Sequence, residues 1–182
     1  MTFLETSIKG AILIQPKLWA DERGYFYESY NQKLFKEAGI VANFVQDNQS
    51  LSHKGTLRGL HAQKEPFAQG KLVRVLQGRV LDVAVDIRKQ SPTYGQHVAV
   101  ELSGHNHHLF WIPPGFLHGF VTLEDNTIFT YKVTNFYDKA SEIGVAWNDP
   151  DLKIDWGVAS EDIILSKKDK ILPRLRDIVS PF

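Results

Sequence analysis

The 182 residues are 43% hydrophobic and 12% aromatic, with 21 Lys+Arg against 21 Asp+Glu, which fits one ordered globular domain of zero formal charge with a sizeable core. That balance argues against a global basic field for nonspecific nucleic-acid binding, while leaving room for a local cationic pocket that holds a small anion. Cysteine is absent, which excludes disulfide scaffolds, thiolate zinc sites and cysteine nucleophiles.

No apolar run approaches the roughly 18 residues of a membrane span. The start, Met1-Thr2-Phe3-Leu4-Glu5, lacks the basic and apolar regions of a signal peptide, so a cytoplasmic protein is expected. In chain order, strands are predicted at 11–15, 24–30 and 44–48, with one clear helix from Asn31 to Ala38 among them. Asn31 is the expected N-cap of that helix and Gly39 its stop. A strand at 71–77 precedes an alternating run in which Leu81, Val83, Val85 and Ile87 share one face and Asp82, Ala84 and Asp86 the other. This is the pattern of a half-buried strand, and Val98, Val100 and Leu102 repeat it. Strands follow at 108–112 and over Thr127–Val133, where Phe129, Tyr131 and Val133 share a face. Turn signals stand at Gln77-Gly78, Ser91-Pro92, Ser103-Gly104 and Pro114-Gly115, and a short helical tail is predicted from about Ala159. With no repeat or linker, residues 1–182 read as a single mainly β domain. Many short strands with regular turns predict a jelly-roll β-sandwich or barrel with a few short helices, whose mouth is a natural small-molecule site.

The segment Leu57-Arg58-Gly59-Leu60-His61, followed by Lys71, sets an imidazole beside a guanidinium and an ammonium. Such a group can hold a phosphate, or remove a proton from carbon and stabilise the charge left behind. In a regular strand Arg58 and His61 face opposite ways, so Gly59 is expected to permit a bulge that turns both toward one cavity. Pattern alone leaves Lys71 either on a solvated strand edge or aimed at a developing enolate. It leaves Tyr131 either in the core with its hydroxyl satisfied or poised as a proton donor. The segment Ile112-Pro113-Pro114-Gly115-Phe116-Leu117-His118-Gly119-Phe120 carries a second histidine.

Metal-binding cupins commonly show His-x-His and a glutamate in their first motif; here the motif reads His61-Ala62-Gln63 and its second ligand is missing. His61 and His118 without a third ligand make a poor metal site, and His105, His107 and His108 read as exposed polar loop residues, so no metal is expected. The segment Asp21-Glu22-Arg23-Gly24-Tyr25-Phe26-Tyr27-Glu28-Ser29 reads as a turn into an edge strand, or as a site stacking a nucleobase while Arg23 meets a phosphate. No Gly-rich phosphate loop is present, so side chains must hold any diphosphate.

Taken together, Arg23–Ser29, Phe44–Asn48, Leu57–His61, Gln69–Val73, Trp111–Phe120, Trp147–Asp151, Ile154–Trp156 and Leu165–Asp169 resemble the dTDP-4-dehydrorhamnose 3,5-epimerase family almost end to end. The resemblance implies a cofactor-independent cupin jelly roll, usually a homodimer, acting on a dTDP-linked 4-keto-6-deoxyhexose, with no nucleic-acid or membrane partner. It implies His61 as general base, Asp169 as the carboxylate orienting it, Lys71 as enolate stabiliser and Tyr131 as proton donor on the opposite face of the sugar. It further implies that Arg58, His118 and Lys168 line the sugar-diphosphate site. Arg23, Phe26, Glu28, Gln46, Asp47, Asn48 and Glu142 match nucleotide- or substrate-contacting positions, some reaching across the dimer. Without the resemblance, Asp169 reads only as part of the charge run Ser166-Lys167-Lys168-Asp169-Lys170. Two positions depart from the family pattern: Gln49 replaces a histidine, and Ala62 stands where an aromatic often follows the catalytic histidine. The implied reaction is inversion of C3 and C5 in dTDP-4-dehydro-6-deoxy-D-glucose. The alternatives are inversion of a single centre in another deoxysugar pathway, a metal-dependent cupin enzyme, and a non-catalytic sugar-binding module.

Overall fold

Each of the three alternating runs is a strand in the computed structural model, which describes residues 1–182. In chain order the strands are β1 (Thr2–Glu5), β2 (Ile12–Gln15), β3 (Trp19–Asp21), β4 (Gly24–Phe26), β5 (Gln46–Ser52), β6 (Leu57–Gln63), β7 (Lys71–Gln77), β8 (Arg79–Asp86), β9 (His97–Ser103), β10 (Leu109–Ile112), β11 (Phe116–Thr122), β12 (Thr127–Val133) and β13 (Glu142–Gly144). Helix α1 (Gln32–Glu37) lies between β4 and β5. One sheet has six strands in the order β1-β2-β10-β7-β12-β5, and a second has five in the order β13-β6-β11-β8-β9. A separate two-stranded ribbon pairs β3 with β4.

Alternation decides what fills the space between the sheets. Val73, Val75, Phe110, Ile112 and Phe129 of the larger sheet meet Val80, Ala84, Leu102, Phe116 and Phe120 of the smaller. Phe120 and Phe129 stack across the gap with ring centroids 4.0 Å apart. This is the jelly-roll sandwich expected from the pattern. At one end of the same interior the apolar side chains give way to polar ones, and there the candidate site lies.

The helix forms as expected. Asn31 accepts from the backbone N–H groups of Lys33 and Leu34, and Gly39, at φ +84°, ends it. Its Phe35 is buried with Ile40 against Ile14, Leu72, Leu109 and Trp111 on the outer face of the larger sheet. Burial of such a ring contributes roughly 1.5–3 kcal/mol.

Three expectations need correction. Strand β8 is not half-buried: Asp82, Ala84 and Asp86 are as fully enclosed as Val83, Val85 and Ile87. The C-terminal segment is the reason, because Leu152, Trp156 and Leu175 cover the outer face of the smaller sheet. That segment is not an α-helical tail either. It forms three short 3₁₀ turns, Ser160–Asp162, Asp169–Ile171 and Leu175–Asp177, because its apolar side chains follow the sheet surface and not a helical repeat. The strand placed at 24–30 is only the three-residue β4, since the ribbon stands off both sheets and pairs only with β3.

Candidate active site

Gly59 shapes the site through the backbone. Along the β6–β11 ladder His118 pairs with His61 but Phe120 pairs with Arg58, so β6 carries one residue more than its partner over this interval. That is the expected bulge. Gly59 sits at φ +134°, and a Cβ there would lie 2.5 Å from Gly119 Cα and 2.8 Å from the His118 carbonyl oxygen. Leu57, Leu60 and Ala62 therefore face the outer cluster, which leaves Arg58 and His61 together on the inner face.

A cavity of about 360 Å³ opens between the sheets, lined by Gln46, Asn48, His61, Gln63, Lys71, Tyr131, Tyr137 and Glu142, among others. His61 enters from the smaller sheet, while Lys71 and Tyr131 enter from β7 and β12 of the larger. Lys71 shares its face with the core residues Val73 and Val75, and Tyr131 shares its face with Phe129, so neither is a solvated edge residue. The imidazole and the phenol thus approach one cavity from opposing sheets, with an ammonium in the same wall.

Electrostatics tune each group. Asp169, only 4% exposed, bonds His61 Nε2 through Oδ1 at 2.6 Å. Burial pushes the Asp169 carboxyl up, but hydrogen bonding to His61 and Ser166 and the nearby charges outweigh it and hold it below the usual carboxylate range. An ionised Asp169 accepts from Nε2–H, and this leaves Nδ1 of His61 with the free lone pair. Burial lowers the Lys71 ammonium to about 8, against the opposing charges of Asp82 and Glu142. Burial raises the Tyr131 phenol, with the Arg58 charge opposing, so it stays protonated at neutral pH. His118 is buried on β11, and Asp82 accepts from its Nε2 at 3.0 Å with both oxygens.

Other expected site residues fall around these. Arg58 is held by Ser52, whose Oγ accepts from Nε and a terminal nitrogen at 3.3 and 3.2 Å. Glu142 pairs with Lys168 and accepts from the Tyr137 hydroxyl at 2.9 Å. Gln46 and Asn48 face the cavity and bond each other at 2.8 Å. Asp47 does not. The period of two along β5 turns it to the outer face, where it pairs with Lys132 at 2.9 Å. Nor does the chain bring Arg23, Phe26 and Glu28 to the cavity: Arg23 pairs with Asp21, Phe26 is 67% exposed, and Glu28 accepts from Asn31. Gln49 is exposed on the outer face of β5, whereas Ala62 is buried beside the cavity. His107 is buried, not exposed, with its ring 4.6 Å from that of Tyr25 and 5.2 Å from that of Tyr27.

Sequence reasoning missed Tyr137, Gln63 and Asp82. Gln63 is buried, and its amide donates to the carbonyls of Phe67 and Phe136 and accepts from the Asp138 N–H, which fixes the loop carrying Tyr137. No sequence signal marked Asp82, because alternation put it on the polar face of a strand that reads as half-buried.

A family model described as dTDP-4-dehydrorhamnose 3,5-epimerase matches residues 5–177. The chain belongs to this epimerase family. The dTDP-4-dehydrorhamnose 3,5-epimerase of Shigella flexneri is 53% identical over 170 residues, which span 93% of this chain and 93% of that one. A crystal structure of dTDP-4-dehydrorhamnose 3,5-epimerase from Elizabethkingia anophelis superposes with a TM-score of 0.94 at 50% identity, over 97% of each chain. The dTDP-6-deoxy-D-glucose-3,5-epimerase of Legionella pneumophila, crystallised in complex with dTDP-4-keto-L-rhamnose, superposes with a TM-score of 0.93 at 49% identity, over 98% of this chain and 94% of that one. The epimerase fold is thus the two-sheet sandwich described above.

Proposed function

We propose that this chain is a cofactor-independent isomerase that inverts C3 and C5 of dTDP-4-dehydro-6-deoxy-D-glucose, giving dTDP-4-dehydro-L-rhamnose in dTDP-rhamnose biosynthesis. The C4 ketone makes the protons on both carbons acidic. Nδ1 of His61 removes one of them, and the C–H electron pair becomes the enolate. Lys71 stabilises the charge on the C4 oxygen, and Asp169 stabilises the imidazolium. Tyr131 then protonates the carbon from the opposite face, and proton exchange with water resets both groups before the second centre reacts. One observation carries this reading: His61 and Tyr131 line a single cavity from opposing sheets, with Lys71 beside Tyr131 on the larger sheet.

Glu142, Tyr137, Gln46 and Asn48 also line that cavity and are groups available to the nucleotide end. The same reading makes the protein a cytoplasmic homodimer in which the ribbon carries Arg23, Phe26 and Glu28 to a second copy. Its support is the exposure of Trp19, Tyr25 and Phe26 at 48%, 58% and 67%. Sedimentation of the purified protein tests the dimer.

Incubation with the freshly made keto sugar in deuterated water, read by NMR, tests the chemistry. Label at both C3 and C5 with formation of the L-rhamno product is the expected result, and label at one carbon alone identifies a single-centre epimerase. His61→Ala is expected to lower exchange by on the order of 10²–10⁴-fold. Full exchange in that variant removes His61 from the mechanism, and tight binding without exchange by the native protein makes it a sugar-binding module.

A further inference from the structure

Gln63 stands two residues past His61 on β6 and is the cross-strand partner of Glu142 on β13. It is buried, and its carboxamide bonds only backbone. Nε2 donates to the carbonyls of Phe67 at 2.7 Å and Phe136 at 3.1 Å, and Oε1 accepts from the Asp138 N–H at 2.8 Å. Both N–H groups of the amide are thereby used, so Gln63 lines the cavity with none left to donate to a ligand. The contacts with Phe136 and Asp138 grip the chain on either side of Tyr137.

The loop between β12 and β13 has little else to hold its middle. Near its start the Gln69 amide donates to the Asn135 carbonyl at 2.7 Å, and Asn135 donates to the Pro66 carbonyl at 2.9 Å. At its end the Ser141 carbonyl accepts from the Lys64 N–H at 2.9 Å. Between these ties Phe136 and Tyr137 are 60% and 58% exposed, so packing does not fix them. Apart from the Tyr137 hydroxyl, which donates to Glu142 at 2.9 Å, the hydrogen bonds that join Phe136, Tyr137 and Asp138 to the sheets all end on Gln63. An exposed aromatic ring on a slack loop must be ordered when a ligand arrives, and that loss of freedom is subtracted from affinity.

Resting on the nucleotide-sugar reading above, we propose that Gln63 is a positioning residue: it holds Phe136–Asp138 so that Tyr137 stands ready at the nucleotide end of the cavity, and it thereby sets affinity for the nucleotide without taking part in proton transfer. Gln63 shares a face of β6 with His61, so the loop that meets the nucleotide is anchored to the strand that carries the base. Its partner Glu142 receives the Tyr137 hydroxyl, so main chain and side chain of the loop are tied to the same pair of cross-strand residues. Gln63 acts through Tyr137 and touches neither the sugar carbons nor the proton in flight.

The test is Gln63→Met, which fills similar space but can bond neither the two carbonyls nor the Asp138 N–H. Binding of dTDP is measured by calorimetry and deuterium exchange into the keto sugar by NMR, with near-UV circular dichroism to follow the fold. The expected result is a rise of about tenfold in Kd for dTDP and in KM for the keto sugar, with kcat falling far less. Gln63→Glu keeps an acceptor for Asp138 but turns a carboxylate toward the Phe67 and Phe136 carbonyls, and the same weakening is expected of it. In a double-mutant cycle, Gln63→Met is expected to weaken dTDP little further once Tyr137→Ala is present. Unchanged dTDP affinity in the folded variants overturns the inference, as does strict additivity with Tyr137→Ala, or a kcat that falls as far as KM rises. Failure of both Gln63 variants to fold also overturns it, since the amide would then serve the fold. A wild type that binds dTDP but exchanges no deuterium refutes the epimerase chemistry instead and leaves the calorimetric comparison to decide the role of Gln63, so the two failures are distinguishable.

Discussion

His61 and His118 are cross-strand partners on β6 and β11, and each presents Nε2 to its own buried carboxylate, Asp169 at 2.6 Å and Asp82 at 3.0 Å. The two rings nevertheless differ in access. His61 lines the cavity, whereas His118 is only 7% exposed. Asp169→Asn therefore bears on the proposed base, His61. The amide still fills the space but cannot offset an imidazolium, and it can turn its NH₂ toward Nε2 and favour the wrong tautomer. Exchange at C3 and C5 is expected to slow on the order of 10²–10⁴-fold, with substrate affinity little altered. Calorimetric titration with dTDP alongside the NMR assay separates the two effects.

Tyr131→Phe is expected to separate exchange from inversion. The phenyl ring keeps its contact with the core through Phe129, at 6.0 Å between ring centroids, but has no proton to give. In the proposed scheme His61 still removes a proton and returns a deuteron to the same face. Deuterium is expected to enter the starting sugar while the inverted product forms far more slowly. Product formation at the wild-type rate would assign the donor to water.

In the proposed scheme alkaline pH acts through Lys71. The useful form is the ammonium, which is lost as pH rises through about 8, so kcat/KM for the keto sugar is expected to fall above that pH. Stability has the opposite sign. The folded state holds the lysine proton less tightly than the unfolded chain does, so this residue disfavours folding at neutral pH, and the penalty fades between about 8 and the ordinary lysine value. Lys71→Met is expected to be catalytically crippled yet more stable at pH 7 by about 1–3 kcal/mol. Urea unfolding at pH 7 and pH 10 checks this, with the difference shrinking at the higher pH.

Gly59→Ala tests the bulge. The added methyl meets Gly119 Cα at 2.5 Å and must adopt a φ near +134°, and backbone occupies the space it needs. A loss of about 2–3 kcal/mol is expected, together with a fall in activity larger than the unfolded fraction explains, because Arg58 and His61 lose their common face. Thermal melts and exchange rates on the same sample provide the comparison.

Local chemistry was readable along the chain wherever one residue's neighbours are its own sequence neighbours. The period of two in Thr127–Val133 put Tyr131 on the inward face, Asn31 and Gly39 bounded the helix, and Gly59 between Arg58 and His61 announced a bulge. Ordered motifs such as Leu57–His61 and Trp111–Phe120 carried the family likeness. Burial produced by distant segments was not readable. Asp169 looks solvated in its lysine-rich run, yet it reaches His61 across 108 residues of chain. Asp82 looks like the polar side of a half-exposed strand until the sheets close over one face and Leu152, Trp156 and Leu175 over the other. Periodicity records which way a side chain points along its own strand. What lies in that direction, whether water, an imidazole or a second layer of protein, depends on long-range packing, and the same packing sets the charge each group carries.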